Sequence, residues 1–178
     1  MLSIFHNPIR FPIRPLVAMT ISTVSKGVAY EEEVGRVLGT LQMQLHRCGG
    51  PNDGGIDLQG IWTIDSPAIP LVVQCKDTSH CTTGMLREFT GVLSRVHEEG
   101  VVNPVGVFVT SMSLRNSMLR ESALSGYPLL LVRVSEGEIR SIQPNYSLLR
   151  VYPHVEFLFD IERTNLPVIR CNGKIVFG

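Results

Sequence analysis

Three apolar runs alternating with two helical stripes constrain this chain more than anything else in it. "LVVQCK" (71–76), "PVGVFVT" (104–110) and "YPLLLVRV" (127–134) are each of strand length. Between the first two, Met85, Leu86, Phe89, Val92, Leu93 and Val96 recur at helical spacing, with Gly100 as a stop. Between the second and third, "LRNSMLRESALSG" predicts another helix, with Ser113 as its cap and Gly126 and Pro128 ending it. Upstream, "AYEEEVGRVLGTLQMQL" predicts a helix through Val34, Val37, Leu38, Leu41 and Leu45, and "GIDLQGIW" alternates as a strand does. That order is an α/β domain with a central mixed β-sheet flanked by helices. Past "EGEIRSIQPN" the pattern weakens, and "HVEFLFDI" and "KIVFG" predict a late strand extension.

The chain's 178 residues suffice for one domain with its own core, and 44% hydrophobic against 18% charged residues excludes wholesale disorder. With 16 basic and 16 acidic side chains it does not coat nucleic acid nonspecifically, although a local basic patch stays compatible with this balance. No apolar run is long enough to span a bilayer. Cys48, Cys75, Cys81 and Cys171 form no CxxC pair, so their spacing indicates neither a zinc cluster nor a disulfide framework. The first 30 residues carry Arg10, Arg14 and Lys26, several hydroxyls and no acid, the composition of a mitochondrial targeting segment or a basic disordered arm. Residues 1–26 are set aside on that ground, leaving 27–178 as a single domain.

Within that domain, "GGPNDGGIDLQGIW" and "LVVQCKD" concentrate polar groups where strands are expected. Alternation puts Gln74 and Lys76 on one face of their strand and Val73 and Cys75 on the other, while Asp57 opposes Ile56 and Leu58. If the two strands are neighbours, Asp57, Gln74, Lys76 and the backbone carbonyl of Cys75 meet. Such hard oxygen donors suit Mg²⁺ or Mn²⁺ rather than zinc, and the lysine can orient a water or stabilise a pentavalent phosphate. Glycines 54, 55 and 60 allow a backbone or a phosphodiester to approach closely. Asp53 reads as turn chemistry, Trp62 as edge packing and Cys75 as a core side chain. His80 and Cys81 sit in a loop beside the substrate groove, and His46, His97 and His154 receive no role.

An acid-bearing helix, then "GGPNDGGIDLQG", then "VVQCKD" resembles the PD-(D/E)XK nuclease superfamily in its Mrr-like branch, where glutamine replaces the second acid. "LREFTGVLSRV", "PVGVFVTSMSL" and "LRESALSGYPLLLVRV" resemble the second half of that fold, so the likeness covers about Gly27 to Val134. More narrowly, "AYEEEVGRVL" followed by "GGPNDGGIDLQGIW" resembles the fungal mitochondrial family required for respiratory growth protein 7. The resemblance implies a restriction endonuclease-like core, a Mg²⁺- or Mn²⁺-dependent nuclease and a connection with respiration in the mitochondrial matrix; a defined substrate does not follow from it, and DNA is the expectation. It implies Asp57 as metal-binding aspartate, Gln74 as second ligand, Lys76 as catalytic lysine and Glu31 as the helical acid, with Glu33 as the fallback. Gly54, Gly55 and His80 become candidate substrate contacts. Glu88 is expected to face solvent as a partner of Arg87 or Arg95. Nucleases of this fold often pair as homodimers, but no interface is legible in the sequence. The competing expectation is an inactive nuclease-fold module that binds nucleic acid or a protein partner, favoured by the amide at position 74.

Overall fold

The computed structural model describes residues 23–48, 54–159 and 166–178. Its main sheet has six strands in the order β1 (Met43–Arg47), β2 (Leu58–Trp62), β3 (Ile69–Lys76), β4 (Val105–Thr110), β5 (Leu129–Ser135) and β6 (Glu138–Pro144). The pairs β3–β4 and β4–β5 are parallel and the other three antiparallel, so the sheet is mixed. Parallel neighbours need crossovers, and α2 (Thr83–Glu98) and α3 (Asn116–Leu124) supply them.

Alternation along the strands divides the core into two. Val72, Phe108, Leu129 and Leu131 face Leu86, Phe89, Leu93 and Val96 of α2 and Met118 of α3. Leu71, Val73, Val107, Val109, Leu130 and Val132 face Tyr30, Val34, Val37 and Leu38 of α1 (Thr23–Gly39). This second face is shared with a feature the sequence showed only in part. After the short α4 (Tyr146–Val151), strands β7 (Val155–Leu158), β8 (Val168–Cys171) and β9 (Lys174–Phe177) form a separate antiparallel sheet. Val155, Ile169 and Cys171 join the α1 side of the core, so one face of the main sheet is covered by a helix and a small sheet together.

Several boundaries differ from the sequence expectation. The first helix starts at Thr23, about a turn inside the segment set aside, and ends at Gly39 rather than running on to Leu45. Gln42 at φ 63° reverses the chain, and Met43 to Arg47 pairs with β2 instead. Leu41 is fully buried in that turn, which is why it satisfied a helical spacing it does not use. Trp62 holds the turn by donating its indole N–H to the Leu41 carbonyl at 2.7 Å, and at 1% exposure it packs as expected. Ser113 is not the cap of α3. That helix begins after Arg115 and has no side-chain cap.

Glycine 60 shows what a close approach means here. An added Cβ would stand 1.9 Å from the Gln44 carbonyl oxygen of β1, so the space is taken by the neighbouring strand and not by a phosphodiester. Gly54 and Gly55, at φ 65° and 85°, bend the chain into β2 as the loop reading requires. Asp53 and residues 1–22, most of the segment expected to be a targeting segment or disordered arm, lie outside the described residues.

Candidate functional site

The pairing of β2 with β3 ends at Leu58 opposite Val73, whereas β3 runs on to Lys76. At that point Asp57 switches partners. Its N–H donates to the Val73 carbonyl at 3.0 Å, and its carbonyl accepts from Cys48 at 3.0 Å. Its carboxylate Oδ2 then accepts the Cys75 N–H at 2.6 Å. A carboxylate thus replaces a ladder carbonyl, giving a charge-assisted bond about twice as strong as a neutral one. Asp57 is held against β3, as the sequence required, because the backbone there lacks another acceptor.

Gln74 lies on the α2 face of β3 and is only 6% exposed. Its Nε2 donates to the Gly55 carbonyl at 3.1 Å, while its buried Oε1 has no hydrogen-bond partner among the described residues. An orphaned buried acceptor costs about 1–3 kcal/mol, so this oxygen favours a donor or a cation beside it. Lys76, half-buried, makes no hydrogen bond or ion pair among the described residues. Its ammonium remains available to a phosphate or a water.

Glu31 approaches from α1, on the other face. Its carboxylate accepts from Arg47 Nε at 2.9 Å and lines a cleft of about 180 Å³ with Lys26, Gly27, Tyr30, Cys75 and Asp77. The Cys75 thiol registers how these charges gather. Its pKa is pushed up chiefly by burial, then by the Asp57 and Glu31 carboxylates, with Lys76 opposing them. Two anions and one cation therefore bear on a single neutral thiol, which is unsuited to act as a nucleophile. Tyr30, donating to the Val134 carbonyl at 3.2 Å, is also raised, again chiefly by burial.

The structure separates the two helical acids that sequence left competing. Glu33 accepts the Gly137 N–H of the β5–β6 turn and so faces away from Asp57, leaving Glu31 as the acid beside Cys75. Among the described residues His80 makes local hydrogen bonds alone, its N–H donating to Thr78 Oγ1 at 3.2 Å. Glu88 is exposed but is not the partner of either arginine: Arg87 pairs with Glu121 at 2.8 Å and Arg95 approaches Glu99.

Two positioning residues were missed. Arg95 donates from Nη2 to the Gly54 carbonyl at 2.8 Å and pins the glycine turn to α2. Arg47 holds Glu31 from β1, a strand the sequence reading had merged into the first helix. Neither carries a local signal, because both act across long stretches of chain. As a donor set, Asp57, the Gln74 oxygen and the Cys75 carbonyl fit a hard divalent cation, and the orphaned Oε1 is the observation that favours one.

The protein is thus an α/β domain with a mixed six-stranded sheet, in which Asp57 binds the backbone of β3 beside Gln74 and Lys76 where two strands part. The family profile described as "Required for respiratory growth protein 7" matches residues 22–70, a stretch that includes Glu31 and Asp57 but stops before Gln74 and Lys76. Over 163 residues the chain is 31% identical to an uncharacterized mitochondrial protein of Schizosaccharomyces pombe, covering 85% of this chain and 64% of that one. Over 63 residues it is 43% identical to "Required for respiratory growth protein 7, mitochondrial" of Lachancea thermotolerans, covering 34% of this chain and 25% of that one. The chain therefore spans less than two thirds of either relative. These matches support kinship with that fungal mitochondrial family. The protein is mitochondrial, as both relatives are named. No solved structure matches it, and no described helix is long and apolar enough to cross a membrane.

Proposed function

We propose that this chain is a restriction endonuclease-like, divalent-metal-dependent nuclease that hydrolyses phosphodiester bonds of nucleic acid, DNA foremost, in the mitochondrial matrix in support of respiratory growth. The observation that carries the reading is the Asp57 carboxylate fixed at the Cys75 N–H, with the Glu31 and Lys76 charges bearing on the same residue. Asp57, Gln74 Oε1 and the Cys75 carbonyl would hold Mg²⁺ or Mn²⁺, with Glu31 completing the set from α1. When bound, such a cation polarises a phosphoryl oxygen and makes a coordinated water more acidic. Lys76 stabilises the charge that accumulates on the phosphate and orients the attacking water. Arg95 and Gln74 hold the carbonyls of Gly54 and Gly55, keeping the glycine turn beside the cluster for a phosphodiester to pass.

A second reading, a nuclease-fold module that binds nucleic acid without cutting it, draws on the amide at 74 and on the engagement of Glu31 by Arg47. The two separate on purified full-length protein incubated with plasmid, single-stranded DNA and structured RNA in Mg²⁺, Mn²⁺ or chelator. The nuclease reading expects cation-dependent cleavage that disappears in both Asp57→Asn and Lys76→Ala. Undiminished cleavage in both variants overturns it. Retention of nucleic acid without turnover in either cation moves the conclusion to the binding module.

A further inference from the structure

A second polar cluster lies where the small sheet meets the β2–β3 turn, remote in sequence from the residues above. Asp65 belongs to that turn, His154 directly precedes β7, and Cys171 ends β8 opposite Val155. One carboxylate oxygen, one imidazole nitrogen and the thiol sulfur all lie within 4.8 Å of one another. We propose that these three side chains bind Zn²⁺ and that the ion fastens the three-stranded sheet to the main sheet.

The chemistry of the donors selects the metal. A thiolate, an imidazole and a carboxylate form a borderline-soft set of two negative charges, which Zn²⁺ neutralises and Mg²⁺ or Ca²⁺ does not favour. Three protein ligands leave the fourth tetrahedral position to solvent. The geometry adds an independent sign. His154 Nε2 stands 2.6 Å from Asp65 Oδ2, yet this buried nitrogen has no aligned hydrogen bond among the described residues. An imidazole nitrogen this close to a carboxylate oxygen, but poorly aligned to donate to it, can offer its lone pair to a cation that both atoms reach. Zinc bonds of about 2.0–2.1 Å place such atoms about 3.3 Å apart, so the pair, at 2.6 Å, opens by about 0.7 Å when the ion enters.

Outer groups fit the same purpose. Asn172 Nδ2 donates to the other carboxylate oxygen of Asp65 at 3.5 Å, and its backbone N–H to the His154 carbonyl at 3.1 Å. The Tyr152 ring meets His154 edge-on, with centroids 6.1 Å apart. Such neighbours set the orientation of ligands before a metal arrives. Each strand of the small sheet has only four residues, at the short end of the usual range, so a fastening to the β2–β3 turn adds to what its packing supplies. Cysteine spacing could not reveal the site, since its ligands come from three distant segments and only one is a cysteine.

The test uses tag-free full-length protein purified with Zn²⁺ and dialysed. Elemental analysis is expected to find one zinc per chain, and Cys171→Ser or His154→Ala to weaken Zn²⁺ binding by at least the roughly 10–100-fold that even an outer-sphere partner is worth. Should the variants misfold, the wild-type chain still decides. Co²⁺ exchange is expected to give a thiolate charge-transfer band, and Cys171 to react with a thiol reagent under native conditions only after chelation. Substoichiometric zinc, a Co²⁺ protein without that band, or Cys171 labelling that ignores the chelator overturns the proposal. An ordinary aspartate–histidine ion pair beside a buried thiol is then what remains.

Discussion

At Asp57 a polar side chain enters the main sheet through a strand that keeps going after its neighbour has turned away. At Asp65 a polar side chain reaches the small sheet from a turn, and its partners are the adjacent Ser66 N–H and the side chains of His154 and Asn172. The first cluster is thus part of the backbone's own hydrogen bonding, whereas the second is superimposed on elements that pair without it. Asp57 cannot leave without stranding the Cys75 N–H. Asp65 can leave and every strand keeps its ladder. In the first cluster architecture and chemistry are coupled; in the second they are separable.

The largest expected effect tests the chemistry of the first cluster alone. Lys76→Ala should reduce Mg²⁺-dependent cleavage by about 100–1000-fold, the scale of one lost transition-state donor. Thermal melting should barely change, since this lysine makes no hydrogen bond or ion pair among the described residues. A comparable fall in melting temperature would show that Lys76 also serves the fold.

Next in size is backbone overlap. Gly60→Ala sets a methyl against the Gln44 carbonyl and should cost about 3 kcal/mol in denaturant unfolding. Asp57→Ala should follow at about 1–3 kcal/mol, the cost of leaving the Cys75 N–H without an acceptor, while Asp57→Asn keeps an oxygen there and costs less. Asp65→Ala measured in chelator should cost less than Asp57→Ala. Equal losses at 57 and 65 would break the comparison.

A smaller effect appears with pH. The thiols of Cys75, Cys81 and Cys171 all have raised pKa values, each chiefly from burial. More protons are bound in the folded chain than in the unfolded one above the usual thiol value of 9.0. Stability from the neutral thiols is therefore complete below pH 9.0 and is lost as the pH rises past it. Denaturant titrations at pH 8 to 10.5 should show the decline in chelated protein, and Cys75→Ala should flatten it. Glu88→Ala, at an exposed position without an ion pair among the described residues, should change neither activity nor melting.

The first cluster was legible because strand periodicity is local and strict. Once Leu58 and Val73 are known to be buried, the faces of Asp57, Gln74 and Lys76 follow from alternation. What sequence could not rank was Glu31 against Glu33, since both fit the helix, and the contacts that separate them, Arg47 and Gly137, lie on distant strands. The small sheet was half legible. Asn172–Gly173, at φ 50° and 77°, is the asparagine–glycine hairpin turn, and it flanks β8, which the sequence reading passed over. The β5–β6 turn uses Glu136 at φ 57° before Gly137, a left-handed position that glutamate does not advertise. Asp65, His154 and Cys171 had no shared pattern at all, because turns and hairpins brought them together.

The bond from Asp57 to the Cys75 amide bears on how relatives of this protein should be read. Whether or not a relative has the proposed nuclease activity, its sheet needs an acceptor at that position, so survival of the aspartate says little about catalysis. The lysine two positions from Gln74 supports no backbone group among the described residues. Its presence or loss among relatives is the sharper record of whether the proposed chemistry is under selection.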